Sequence, residues 1–84
     1  MLTSKQRAYL KGLANTMEPI FLIGKGGVSE VMIREIDLAL EARELMKLKV
    51  LNNSMVEVRE AASEISEKTN SDVVQVIGGK FILF

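Results

Sequence analysis

One stretch, Ile20-Phe-Leu-Ile-Gly24-Lys-Gly-Gly27-Val-Ser-Glu30, constrains this chain more than any other. Its apolar run reads as a short strand, its three glycines around Lys25 as a turn, and Ser29 as the cap of a helix. A strand that passes through glycines into a helix exposes backbone N–H groups at the positive end of the helix dipole. Such a place favours phosphate, and glycines let a phosphodiester come close to the main chain. Lys25 adds a mobile positive charge at the tip. The same glycines would also suit a tight turn with no ligand, so spacing alone does not choose between the two.

The remaining periodicities place this turn in a fold. Thr3-Ser-Lys-Gln6 has the form of a capping box opening a first helix, which ends near Asn15, before Pro19. Tyr9, Leu10 and Leu13 are expected on its inner face, with Arg7 and Lys11 on the other. Ile20 to Ile23 is expected to be a strand buried on both faces. A second helix runs from Ser29 to about Glu41, with Met32, Ile33, Ile36, Ala39 and Leu40 at helical spacing. Leu45 to Leu51 alternates as a strand, Met46, Leu48 and Val50 facing one way and Lys47 and Lys49 the other. Asn52-Asn53 makes a turn. Ser54-Met-Val-Glu57 reads as a second capping box, opening a helix with Val58, Ala61, Ala62 and Ile65 inward and Asn70 at its end. Val73 to Ile77, Gly78-Gly79 and Lys80 to Phe84 form a hairpin. Phe21, Phe81, Phe84 and Tyr9 are assigned to the core.

The order α-β-α-β-α-β-β makes residues 1–84 one α/β domain of two layers with a four-stranded mixed sheet. Right-handed crossovers make the first three strands parallel, and the hairpin adds an antiparallel fourth. The C-terminal ends of parallel strands share one edge, where ligands of open α/β sheets sit. That edge collects the Gly24–Gly27 turn, Lys49 and Lys80, so Lys25, Lys49 and Lys80 are expected to meet there and offer an anion site.

Composition narrows the chemistry. The chain has neither cysteine nor histidine, which removes disulfides, Cys/His zinc sites, thiol nucleophiles and imidazole acid–base catalysis. A dinucleotide fingerprint fails because Ser29 stands where its third glycine belongs, and no P-loop spacing occurs. The carboxylates of the second and third helices fall on outer faces. No enzyme, cofactor, metal or small-molecule substrate is expected. Ser4-Lys-Gln-Arg7 interrupts any signal-peptide core, and the apolar run from Val73 to Phe84 is too short for a bilayer, so a soluble cytoplasmic protein is expected.

Eleven basic residues balance eleven acidic ones, but in blocks. Residues 1–29 hold Lys5, Arg7, Lys11 and Lys25 against Glu18 alone, whereas residues 30–44 hold Arg34 and Arg43 against five carboxylates. One surface can therefore be basic while another is acidic.

Gly24-Lys-Gly-Gly27 resembles the GXXG loop of KH domains, which grips nucleic-acid backbone. In that fold the loop joins two helices, whereas here a strand precedes it. A longer resemblance is to the CRM domain, an RNA-binding module of chloroplast splicing factors and of YhbY-type bacterial ribosome-assembly proteins. It is carried, in order and spacing, by Leu2-Thr-Ser-Lys-Gln-Arg7, Leu10-Lys-Gly-Leu-Ala14, Pro19, Gly24-Lys-Gly-Gly27, Ala39-Leu-Glu-Ala-Arg-Glu-Leu45, Lys47-Leu-Lys-Val50 and Val74-Gln-Val-Ile-Gly78. The resemblance implies a fold similar to the C-terminal domain of translation initiation factor three. It also implies RNA contact through the GXXG loop and association with the precursor of the large ribosomal subunit. Arg43 stands where the family often has histidine, and relatives commonly continue beyond the position of Phe84 into a basic tail.

The reading is a monomeric, non-enzymatic RNA-binding protein that assists ribosome assembly. Gly24, Gly26 and Gly27 shape the loop, Lys25 pairs with phosphate, Lys49 and Lys80 extend a basic edge, and Lys5, Arg7 and Lys11 form a neighbouring stripe. The competing reading is a protein-interaction module using the sheet or the acidic third helix.

Overall fold

The computed structural model describes residues 2–84. Helix α1 spans Ser4–Ala14, and its capping box closes as expected: Gln6 N–H donates to Thr3 Oγ1 at 3.1 Å and Thr3 N–H to Gln6 Oε1 at 2.9 Å. Strand β1 is Phe21–Ile23, helix α2 Glu30–Arg43 and strand β2 Met46–Val50. Helix α3 covers Val58–Thr69, and the hairpin is β3 Val73–Ile77 with β4 Lys80–Leu83. The element order is the expected one. Ser29 caps α2 through its hydroxyl, which accepts the Met32 N–H at 3.1 Å.

The sheet order is β1-β2-β4-β3. Strands β1 and β2 are parallel, and β4 runs antiparallel between β2 and β3. Strand β3 therefore points the same way as β1 and β2 without touching them. The hairpin folds back into the sheet, so its second strand is a central one.

Two cores lie on opposite faces. Ile23, Ile36, Met46, Leu48, Ala61, Ala62, Ile65, Phe81 and Leu83 form the larger, between the sheet and the pair α2 and α3. Leu10 and Ala14 of α1 pack with Val74 and Ile82 on the other face. The expected two layers are present in α2 and α3 on the sheet, but α1 departs from them and covers part of the second face. Lys47, whose cross-strand neighbour is Ile82, lies on that covered face and is only 8% exposed.

Three local expectations change with this arrangement. Strand β1 is not buried on both faces. It is an edge strand, and α1 sits over the β3–β4 end of the sheet, so Leu22 is 55% exposed. Tyr9 is not core either. The inward seam of α1 is Leu10 and Ala14 with Arg7 one turn earlier, which leaves Tyr9 67% exposed, and Phe84 is also exposed. Finally, α3 begins a turn later than the Ser54 box implies. Ser54 Oγ accepts the Val56 N–H at 3.2 Å within the preceding loop, and Glu57 is the N-cap without a side-chain bond. Asn70 ends α3 in the left-handed conformation, as expected.

Candidate nucleic-acid interface

The Gly24–Gly27 turn leaves β1 where β2 runs beside it, and Gly27 N–H closes the turn on the Gly24 carbonyl at 3.0 Å. Gly27 has φ +68, which an L side chain adopts only with strain, and a Cβ there would come within 3.3 Å of Val56 Cγ2. Gly26 is different. Its φ is ordinary and nothing lies within 4 Å of the place a side chain would occupy. The fold does not require glycine at Gly26. Lys25 is exposed at the tip. The first turn of α2 contains Glu30, whose carboxylate competes with any anion at that helix end, so the positive charge here comes from Lys25 and the loop amides.

Lys49 and Lys80 are brought together by the strand order. They are direct cross-strand partners, at the edge where β2 ends and β4 begins. The hairpin turn is pinned beside them: Val50 N–H donates to the Gly79 carbonyl at 2.7 Å, and a Cβ at Gly79 would stand 3.1 Å from the Val50 carbonyl oxygen. One row crosses all four strands: Leu22, Lys49, Lys80, Ile77. Like charges directly opposite each other destabilise a sheet, and neither lysine has an ion-pair partner. Among the described residues the one salt bridge is Lys68–Glu64 on α3. An anion lying between the two ammonium groups would remove that repulsion.

Lys25 shares this edge without joining the pair. The row containing Lys49 and Lys80 is on the face opposite α2 and α3, whereas the glycine turn leads into the α2 layer. The expected meeting of three lysines is thus a pair on one face and a single lysine on the loop, with the sheet edge between them. That arrangement suits an extended polyanion better than one small phosphate ligand.

The basic stripe expected on α1 is not formed. Arg7 is half-buried, and its guanidinium Nη1 donates to the carbonyls of Val73 and Val74, the latter at 2.9 Å. Those carbonyls flank the irregularity between Val73 and Gln75 in β3, so Arg7 is committed to holding a bulge. Lys5 and Lys11 are exposed, but six residues apart they turn away from each other on a helix of 3.6 residues per turn. Lys11 lies across the buried seam from Gln6 and Leu13. These two, with Tyr9, line an apolar groove of about 430 Å³ beside Leu45 and Phe84, at the other end of the sheet. Lys11 is therefore on the flank of α1 away from that groove, and Lys5 is on the outer face opposite the buried seam.

The loop from Leu51 to Glu57, expected to be a turn and a cap, lies against the glycine turn. Leu51 Cδ1 and Asn53 Oδ1 are 3.7 and 3.9 Å from the Cβ position at Gly24. Its signal in the sequence is only the parallel pairing of β1 with β2, which sends both strands out of the sheet side by side. Among the described residues no group of three or more acidic residues is placed to hold a metal, and no helix is long and apolar enough to cross a membrane.

Comparison with known proteins agrees with this frame. The chain is 43% identical over 84 residues to a Bacillus subtilis (strain 168) protein named "Probable RNA-binding protein YqeI", covering all of this chain and 88% of that one. A Haemophilus influenzae protein named "RNA-binding protein" is 34% identical over 83 residues, covering 99% of this chain and 84% of the relative. In structure, the chain resembles the hypothetical protein SAV1595 from Staphylococcus aureus, described as a candidate RNA-binding protein. The TM-score is 0.83 and the identity 50%, over all of this chain and 88% of that one. The model of the CRS1 / YhbY (CRM) domain matches residues 2–84, and the chain belongs to that family.

Proposed function

We propose that this protein binds RNA of the precursor large ribosomal subunit and assists ribosome assembly in the cytoplasm, as a monomer and without catalysis. The observation that carries the RNA contact is the uncompensated Lys49–Lys80 pair at the sheet edge, beside a glycine turn whose Gly26 has no steric duty in the fold. Gly24, Gly26 and Gly27 let the RNA backbone approach, Lys25 pairs with one phosphate, and Lys49 and Lys80 hold the chain as it crosses the edge. Lys11 extends the basic surface, Lys5 contributes through long-range charge, and Arg7 acts in the fold. The names of the relatives support RNA as the partner. The whole-length resemblance to the family supports the ribosomal setting.

Sedimentation of cell extract tests this reading. The protein should travel with large-subunit precursors in wild-type extract and return to the light fractions after ribonuclease treatment. Lys49→Glu with Lys80→Glu should remove it from the precursor fractions with its fold intact. Co-sedimentation that survives both treatments would replace RNA with a protein partner.

A further inference from the structure

The loop that follows β2 carries chemistry that a phosphate grip does not use. Strands β1 and β2 leave the sheet in parallel, Ile23 opposite Val50, and Leu51 N–H still donates to the Ile23 carbonyl at 2.8 Å. Beyond that bond the two loops stay close together. Asn53 Oδ1 lies 3.9 Å from the Cβ position at Gly24, and Val56 Cγ2 lies 3.3 Å from that at Gly27. Lys25 and Gly26, between these two glycines, are exposed.

The second loop is shaped by its own bonds. Ser54 N–H donates to the Leu51 carbonyl at 3.0 Å, and Ser54 Oγ takes the Val56 N–H. With Leu51 and Val56 anchoring its ends, Asn52, Asn53 and Met55 project as exposed side chains, Met55 at 91%. A single exposed methionine is ordinary on a protein surface. Met55 is set apart by its place, two residues after the Asn52-Asn53 pair and next to Val56, which lies against Gly27. From Leu51 to Val56 the loop has no charge, whereas the facing turn carries Lys25.

This contrast sorts the two sides of a bound strand. Phosphates go to the lysine and the loop amides, and these contacts carry no direct sequence information. The uncharged side is left for the rest of a nucleotide, its sugar and its base. Asparagine offers an amide donor and a carbonyl acceptor together, the pairing needed for the edge of an unpaired base. Methionine offers a flexible, polarisable surface for the base face. We propose that Asn52, Asn53 and Met55 form a base-contacting wall opposite the glycine turn, so that this protein selects among unpaired RNA sequences through the loop after β2. The proposal rests on the RNA-binding reading above.

The test separates bases from backbone. Affinity is measured for A, C and U homopolymers of eight nucleotides and for a sugar–phosphate oligomer of the same length lacking bases. The wild-type protein should distinguish the best from the worst homopolymer by roughly three- to tenfold, the effect of one net hydrogen bond. Asn52→Ala with Asn53→Ala should bring the homopolymers within about twofold of one another, with the thermal midpoint unchanged. Lys25→Ala should weaken all of them in parallel and keep their spread. In the unmutated protein, the Met55 methyl resonance should move on addition of the preferred homopolymer and stay put with the base-free oligomer. Equal wild-type affinities, a spread that survives loss of both asparagines, or a Met55 methyl that responds equally to both oligomers would overturn the wall while leaving the RNA grip standing. No binding to any oligomer, nor to precursor subunits, would overturn the RNA reading itself.

Discussion

Gly26 and Gly27 are neighbours with different duties. Gly27 holds a left-handed conformation in contact with Val56, so Gly27→Ala should cost roughly 1–2 kcal/mol of stability. Gly26→Ala meets nothing, and should leave stability within about 0.5 kcal/mol of wild type or raise it slightly. Urea titration of the two variants checks the contrast. Lys25→Asp with Gly26→Glu places negative charge and bulk where a phosphate is proposed. RNA binding should be lost with the thermal midpoint nearly unchanged, and a folded double variant with unaltered binding would remove the loop from the interface. Arg7 behaves in the opposite way. Its guanidinium serves two β3 carbonyls, so Arg7→Ala should cost about 1–3 kcal/mol and leave RNA affinity per folded molecule within about twofold.

At the scale of elements, α3 and the β2–β4 pair make separate predictions. The sequence pattern Ser54-Met-Val-Glu57 satisfies the capping-box rule, yet Ser54 is spent on the Val56 N–H and the helix opens at Glu57 without a side-chain bond. Ser54→Ala should therefore cost less than the ~1 kcal/mol of a lost cap, whereas Glu57→Ser should gain about 0.5–1 kcal/mol by supplying one. Calorimetry should show the midpoint rising by a few degrees for Glu57→Ser. In the sheet, Lys80→Ala relieves a like-charge pair, so the folded state should hold or gain a few tenths of a kcal/mol while RNA binding falls. A loss of stability with no loss of binding would make that lysine a structural residue.

For the whole molecule, zero net charge restricts how strongly a polyanion is held. Lys25, Lys49, Lys80 and Lys11 can neutralise about three or four phosphates. At about −0.7 per contact with a single strand, log K against log salt should slope near −2 to −3. Lys25→Ala should flatten that slope by less than one unit. A slope near zero would mean that recognition bypasses these lysines, and one beyond about −6 would give α1 a far larger part. What the sequence determined by itself was set within a few residues of chain: the Thr3 box, the Ser29 cap, the glycine turn, the Gly78-Gly79 hairpin and the order of elements. Capping, turn geometry and periodicity act over one helical turn or one strand pair, so they are legible without the fold. Tertiary structure decided what depends on distant partners. The hairpin could extend the sheet at its rim or fold into it, and only the choice of β4 as a central strand sets Lys80 opposite Lys49. The face taken by α1 turned Arg7 inward to the β3 bulge and left Tyr9 in solvent. The parallel exit of β1 and β2 placed Asn53 beside Gly24, across nearly thirty residues of chain, because pairing in a sheet joins residues by register and not by proximity in sequence.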